Sequence, residues 1–145
     1  MTMPHFPIEY AVELSRTDGN PMELAAGHRP RLIVGAPPEF GGSDVWWSPE
    51  HLFVSALAAC MTATFYAAAG RANIRVGTYR CHAHGVLDRV DDRIAFATMR
   101  LAVEVTVVGD DVERVRAMVL EAKNRCFVAN SLRCPVELVS VVTAS

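Results

Sequence analysis

The sequence predicts an α+β fold, a mainly antiparallel sheet packed on a long buried central helix with a second helix beside it. Two observations carry this. Most of the chain alternates apolar and polar residues with the period of strands, and these strands follow one another as hairpins rather than as β-α-β units. One stretch, "SPEHLFVSALAACMTATFYAAAG" at 48–70, instead runs apolar for five turns with almost no charge, the pattern of a helix buried on all sides.

The elements follow in order. In "PIEYAVEL", 7–14, Ile8, Tyr10, Val12 and Leu14 share one side while Glu9 and Glu13 take the other, which predicts a half-buried strand. "RTDGN" contains Asp-Gly, a hairpin turn signal, and strands are expected at roughly 21–26 and 30–35. The prolines and glycines of "APPEFGGSDVWW", 36–47, predict a loop. Ser48 is the expected N-cap of the apolar helix, Pro49 sits at N1 where its missing N–H costs nothing, and Glu50 lies in the first turn where the dipole favours an anion. Gly70 is the expected stop. "NIRVGTYRCHAHGVL" and "RIAFATMRLAVEVTVVG" then predict two long strands joined by the polar "DRVDD". "DDVERVRAMVLEAKNRC" opens on two aspartates and spaces Val112, Val115, Val119 and Ala122 at three and four, an amphipathic helix. A short turn region around "FVANSL" and a last strand in "PVELVSVV" close a β-β-β-α-β-β-α-β order.

With 145 residues, the chain suits one domain, 1–145, and a chain of this size buries ~70% of the surface its unfolded form exposes. The net charge of −2, without asymmetry between the halves, argues against nucleic acid or an anionic membrane as partner. The run from Leu52 to Ala69 approaches the ~20 residues of a membrane span, but it is rich in Ala, Ser and Thr and lies between strand-like segments, so a membrane is not expected. The N-terminus lacks a basic region followed by an apolar one, the mark of a secretory signal; a reducing cytoplasm is therefore the expected compartment.

Four cysteines, Cys60, Cys81, Cys126 and Cys134, are in that compartment thiols to be judged by position rather than a disulfide scaffold. Cys60, in mid-helix, gains little from the dipole, so a reactive thiolate there calls for a nearby cation. Cys126 ends the second helix, and Cys134 is its rival. Cys81 lies beside His82 and His84, whose spacing puts both imidazoles on one strand face and the thiol on the other, so no metal site is expected. Trp46 and Trp47 suit either plugs over the helix start or walls of a substrate pocket.

Taken together, "PPEFGG", then "SPEHLFVSALAAC", then "CFVANSL" with its cysteine sixty-six positions after Cys60, closely resemble the OsmC/Ohr family (osmotically inducible protein C and organic hydroperoxide resistance protein) of thiol-dependent hydroperoxide reductases. The resemblance covers essentially the whole chain, including element order. It implies Cys60 as peroxidatic cysteine, Cys126 as resolving cysteine, and Glu50 as the acid orienting an arginine over the thiolate. For that arginine, Arg16 in "LSRTDGN" is the nearest match to the family's first hairpin, with Arg29 and Arg31 as alternatives. It further implies a lipoyl-type external dithiol as reductant and no cofactor. Phe40, Trp46, Trp47 and Phe53 are the natural supply of an apolar wall for an alkyl hydroperoxide.

Glu50 and Cys60 are ten residues apart on one helix, ~15 Å at 1.5 Å per residue, too far for one arginine to serve both. Two helices crossing antiparallel near residue 55 bring Glu50 of one subunit to Cys60 of the other, so an intertwined homodimer with two equivalent sites is expected, as the resemblance also implies. The competing expectation is a non-catalytic dimer of the same fold that binds a small hydrophobic ligand at the subunit interface.

Overall fold

The computed structural model describes residues 4–109 and 111–145; Asp110 of the expected helix start, and the first three residues of the stretch read for a leader, lie outside them. The chain forms two compact units, Met1–Leu52 and Phe53–Ser145.

In the first unit, β1 (Glu13–Ser15), β2 (Met22–Ala25) and β3 (Leu32–Val34) form an antiparallel sheet in chain order. Leu24 lies opposite Leu14 on one side and Leu32 on the other. The strand expected over 7–14 becomes regular only at Glu13, and Tyr10 and Val12 stand exposed. Alternation marks a face, but a strand also needs a neighbour for its backbone groups, and β2 supplies one for only three residues. The Pro/Gly-rich stretch is a loop with one 3-10 turn, Pro38–Phe40. It closes where Gly35 N–H donates to the Trp47 carbonyl at 3.0 Å and Trp47 N–H to Ile33 at 3.2 Å.

The helix α1 (Pro49–Arg71) begins as its sequence dictates. Ser48, buried, accepts from His51 N–H at 3.2 Å through its hydroxyl, which also lies 2.8 Å from His51 Nδ1, so the cap holds one of the orphan donors of the first turn. At the other end the helix runs one residue past Gly70, and Asn73 takes the left-handed conformation (φ 54°) that closes it, while Ile74 N–H bonds the Ala69 carbonyl at 3.0 Å.

The second unit carries the core. The hairpin of β4 (Val76–Val90) and β5 (Arg93–Val107) is antiparallel, and β6 (Val136–Ala144) adds to β5 in parallel. Parallel neighbours need a crossover, here α2 (Val112–Arg125) and α3 (Phe127–Ser131), the latter a five-residue helix where a turn was expected. The strands thus make two three-stranded sheets. Leu57, Met61, Phe65 and Ala69, four apart on α1, are buried with Met99, Leu101, Val103, Val105 and Val107 of β5 and with Val115, Val119, Ala122 and Cys126. Gly85 permits this approach, because a Cβ there would lie 2.9 Å from Met99, Phe96 and Val54 side chains at once.

By length and composition α1 is apolar enough to cross a membrane, yet its buried stripe packs on protein. In the single chain burial is confined to that stripe. Phe53, Ala56, Ala59, Ala63, Tyr66 and Ala67 form an apolar face left open, because one sheet covers only one side of a helix.

Candidate functional site

Cys60 sits in the middle of α1, one position before buried Met61 and so at the edge of the packed stripe, half-buried. Cys126 ends α2 and caps α3: its sulfur accepts from Ala129 N–H at 3.4 Å, and it is fully buried. Both are free thiols, near enough for each to shift the ionisation of the other.

Their surroundings drive them in opposite directions. Burial works to raise the Cys60 thiol, but the hydrogen bond with Cys126, the backbone N–H groups of Val128 and Phe127, and the Thr64 hydroxyl together outweigh it and hold Cys60 below its usual range. For Cys126, burial and the bond to Cys60 push the thiol up to about 11 against a small opposing contribution from Ala129 N–H. The result is one thiol disposed to ionise beside one that keeps its proton, the pattern expected when two interacting groups divide one charge.

Sequence reasoning asks for a cation over Cys60; in this unit amide N–H groups and a hydroxyl do part of that work. The Thr64 signal was legible, since a hydroxyl four residues on lies on the same helix face; its Oγ1 donates to the Cys60 carbonyl at 2.8 Å. The donors at 127–128 were not, because they exist only once "FVANS" turns into helix.

The other thiols stand apart. Burial raises Cys81, against a hydrogen bond with Tyr79, whose own phenol is pushed up to about 12, mainly by burial. Cys134 packs at the core's edge just before β6. His82 and His84 are exposed on β4, and among the described residues no three metal-ligating side chains converge.

In the first unit, Arg16 Nε donates to the Asn20 carbonyl at 3.2 Å, Arg29 to the Ala26 carbonyl at 3.3 Å, and Arg31 pairs with Glu23. Each of the three arginines is thus engaged at its own hairpin. Glu50 makes no ion pair among the described residues, and its Oε2 is buried without a hydrogen-bond partner, a costly state for a carboxylate oxygen. Phe40 is exposed, Trp46 packs its ring against Gly35, and Trp47 is fixed through its backbone. In the second unit Phe53 stacks on Phe96 with centroids 5.0 Å apart.

Comparison with known proteins places this geometry. The family model described as OsmC-like protein matches residues 41–140. Among curated proteins no sequence match is found. Among solved structures, an OsmC-like protein of unknown function from Vibrio cholerae superposes with a TM-score of 0.84 at 19% identity, over 93% of this chain and 100% of its own. An organic hydroperoxide resistance protein OsmC from Legionella pneumophila gives 0.69 at 19%, over 97% and 99%. The organic hydroperoxide resistance protein from Elizabethkingia anophelis gives 0.70 at 19%, over 97% and 100%. At these identities the likeness is one of fold, and it agrees with the motif match over most of the chain: this protein is a member of the OsmC-like family.

Proposed function

We propose that this chain, acting as one domain and as a cytoplasmic homodimer, is a thiol peroxidase for organic hydroperoxides, with Cys60 as the attacking thiolate and Cys126 as the resolving thiol. The observation that carries the reading is the pair of neighbouring thiols, one held low and the other pushed up. The names of the Legionella and Elizabethkingia relatives, both organic hydroperoxide resistance proteins, support it.

The Cys60 thiolate attacks one peroxide oxygen; the S–O bond forms as the O–O bond breaks, and the departing alkoxide takes a proton to leave as alcohol. Cys60 is then a sulfenic acid, which a second thiol must capture before further peroxide oxidises it. Cys126 is protonated partly because the Cys60 charge faces it. Neutralising that charge by oxidation lowers the cost of ionising Cys126, so the resolving thiol becomes a nucleophile when it is needed. Its attack on the sulfenic sulfur forms the disulfide and releases water, and an external dithiol, of lipoyl type by the family resemblance, reopens it by exchange.

In this reading Glu50, with its orphaned oxygen, holds the guanidinium of Arg16 over the Cys60 of the other subunit, where it stabilises the thiolate and then the developing alkoxide. Arg29 and Arg31 are the alternatives. Phe40, Trp46, Trp47 and Phe53 supply the apolar wall for the alkyl group. No metal, nucleic acid or membrane takes part.

The test mixes fully reduced protein with one equivalent of an alkyl hydroperoxide or of hydrogen peroxide and maps disulfides by peptide mass spectrometry. A rapid Cys60–Cys126 link, faster with the alkyl peroxide, is expected. Slow oxidation spread over all four thiols would refute the reading. It would instead favour a non-catalytic dimer holding a hydrophobic ligand, the alternative that Arg16's bond to its own turn supports.

A further inference from the structure

Cys126 is the residue between two helices, and its backbone is extended (φ −69°, ψ 115°) where both neighbours are helical. Such a break leaves orphan groups on both sides, carbonyls at the end of α2 and N–H groups at the start of α3. The amides that open α3 serve the thiols. Ala129 N–H donates to Cys126 Sγ at 3.4 Å, and the backbone groups of Phe127 and Val128 help hold Cys60 low. The placement of α3 therefore decides where both sulfurs find their donors.

Left to itself, α3 cannot keep that placement. It has five residues, and a helix this short gains too few backbone bonds to offset the cost of its nucleus. Asn130 reaches back across the junction twice. Its N–H donates to the Cys126 carbonyl at 3.0 Å, and its side-chain Nδ2 donates to the Asn124 carbonyl at 3.0 Å. The second bond fills an orphan acceptor in the last turn of α2 and spans six positions, with Cys126 between its ends. A carbonyl only accepts, so the side-chain group that meets it must be the NH2 and not the oxygen. Another side-chain bond of α3, from Ser131 Oγ to the Phe127 carbonyl at 2.8 Å, stays inside that helix. Asn130 is exposed, so its side chain fills no core space and acts through this bond alone.

We propose that Asn130 is a positioning residue for the thiol pair: its side-chain bond to the Asn124 carbonyl fixes α3 against the end of α2, and so keeps Cys126 and the 127–128 backbone in register with Cys60. The inference rests on the proposed function only in giving Cys126 the resolving role. Asn130 works through the chain around Cys126 and not on the peroxide.

The test uses the reduced full chain and no peroxide. Alkylation of Cys60 by iodoacetamide is followed across pH by peptide mass spectrometry, and closure of the Cys60–Cys126 disulfide is timed after one equivalent of diamide. Asn130→Ala removes the donor, Asn130→Asp keeps the shape but sets a carboxylate against the carbonyl, and Asn130→Gln keeps an NH2. The Ala and Asp variants should close about fivefold more slowly, the loss expected for one hydrogen bond, and their alkylation profiles should move to higher pH. Asn130→Gln should recover most of both, and Ser131→Ala, which loosens α3 without touching the junction, should match wild type in both. A wild-type rate and profile in Asn130→Ala would remove Asn130 from the site. Equal slowing in Ser131→Ala would reduce it to a stabiliser of α3, and a Gln variant as slow as the Ala one would detach the effect from the NH2; each overturns the proposal. Failure of the peroxidase reading looks different: the variants keep this order with diamide, while alkyl hydroperoxide closes the disulfide in none of them, wild type included.

Discussion

A thiol in mid-helix has no help from the helix dipole, and the first question is what replaces it at Cys60. The answer lies in four neighbours, Cys126, Val128, Phe127 and Thr64, of which the two side chains can be removed separately. Cys126→Ala deletes a group that holds Cys60 low and the thiol proposed to resolve it at once. The Cys60 titration, followed by thiolate absorbance, should move up toward the ordinary thiol range. On the proposed peroxidase cycle, dimedone should then trap a sulfenic acid that the wild type, with Cys126 present, does not accumulate. Thr64→Val should raise the same titration while leaving the disulfide able to form, so an unchanged Cys60 titration in this variant would remove Thr64 from the site. The sequence drew attention to both cysteines, through the helix pattern around Cys60 and the resemblance at "CFVANSL". Their opposite tuning was not, because it depends on burial and on amides that only the folded chain aims at the sulfur.

Among elements, the strands and both long helices could be read within a few residues, since period-2 and period-3.6 patterns and the Ser48-Pro49 start signal are local. The strand at 7–14 failed for the opposite reason: its pairing partner is not a local property. The parallel join of β6 to β5 was equally hidden, since no pattern within a strand states the direction of its neighbour. The way α2 and α3 meet at Cys126 makes a prediction about pH. Cys126 is raised from 9.0 to about 11 and Tyr79 from 10.0 to about 12 by burial in the native state. A folded protein that binds these protons more tightly than the unfolded chain loses stability as pH rises through the window between the two values. Urea midpoints should therefore fall between about pH 9 and about pH 12. Tyr79→Phe should flatten the upper part of that fall and Cys126→Ala the lower; a decline unaltered in both variants would assign it to other groups.

At the scale of the molecule, three features are incomplete in one chain: the apolar face of α1 is open, Glu50 Oε2 is buried and unpartnered, and among the described residues of its own unit no guanidinium acts on Cys60. A second copy crossing α1 near residue 55 would complete all three, covering one helix face with the other and offering Glu50, with an arginine, to the partner subunit's thiol. Isologous pairing makes the two sites equivalent but builds each from both chains, and this distinguishes it from a site contained in one chain. Glu50→Gln and Cys60→Ser should each be nearly inactive alone. Co-refolded in equal amounts, they form mixed dimers in which one site has an intact Glu50 from one chain and an intact Cys60 from the other, while the second site lacks both. With random pairing, half the dimers are mixed and half their sites are whole, so peroxidase activity should return to about a quarter of the wild-type value per chain. If each chain instead built its own site, every site in the mixture would carry one of the two defects and mixing would restore nothing.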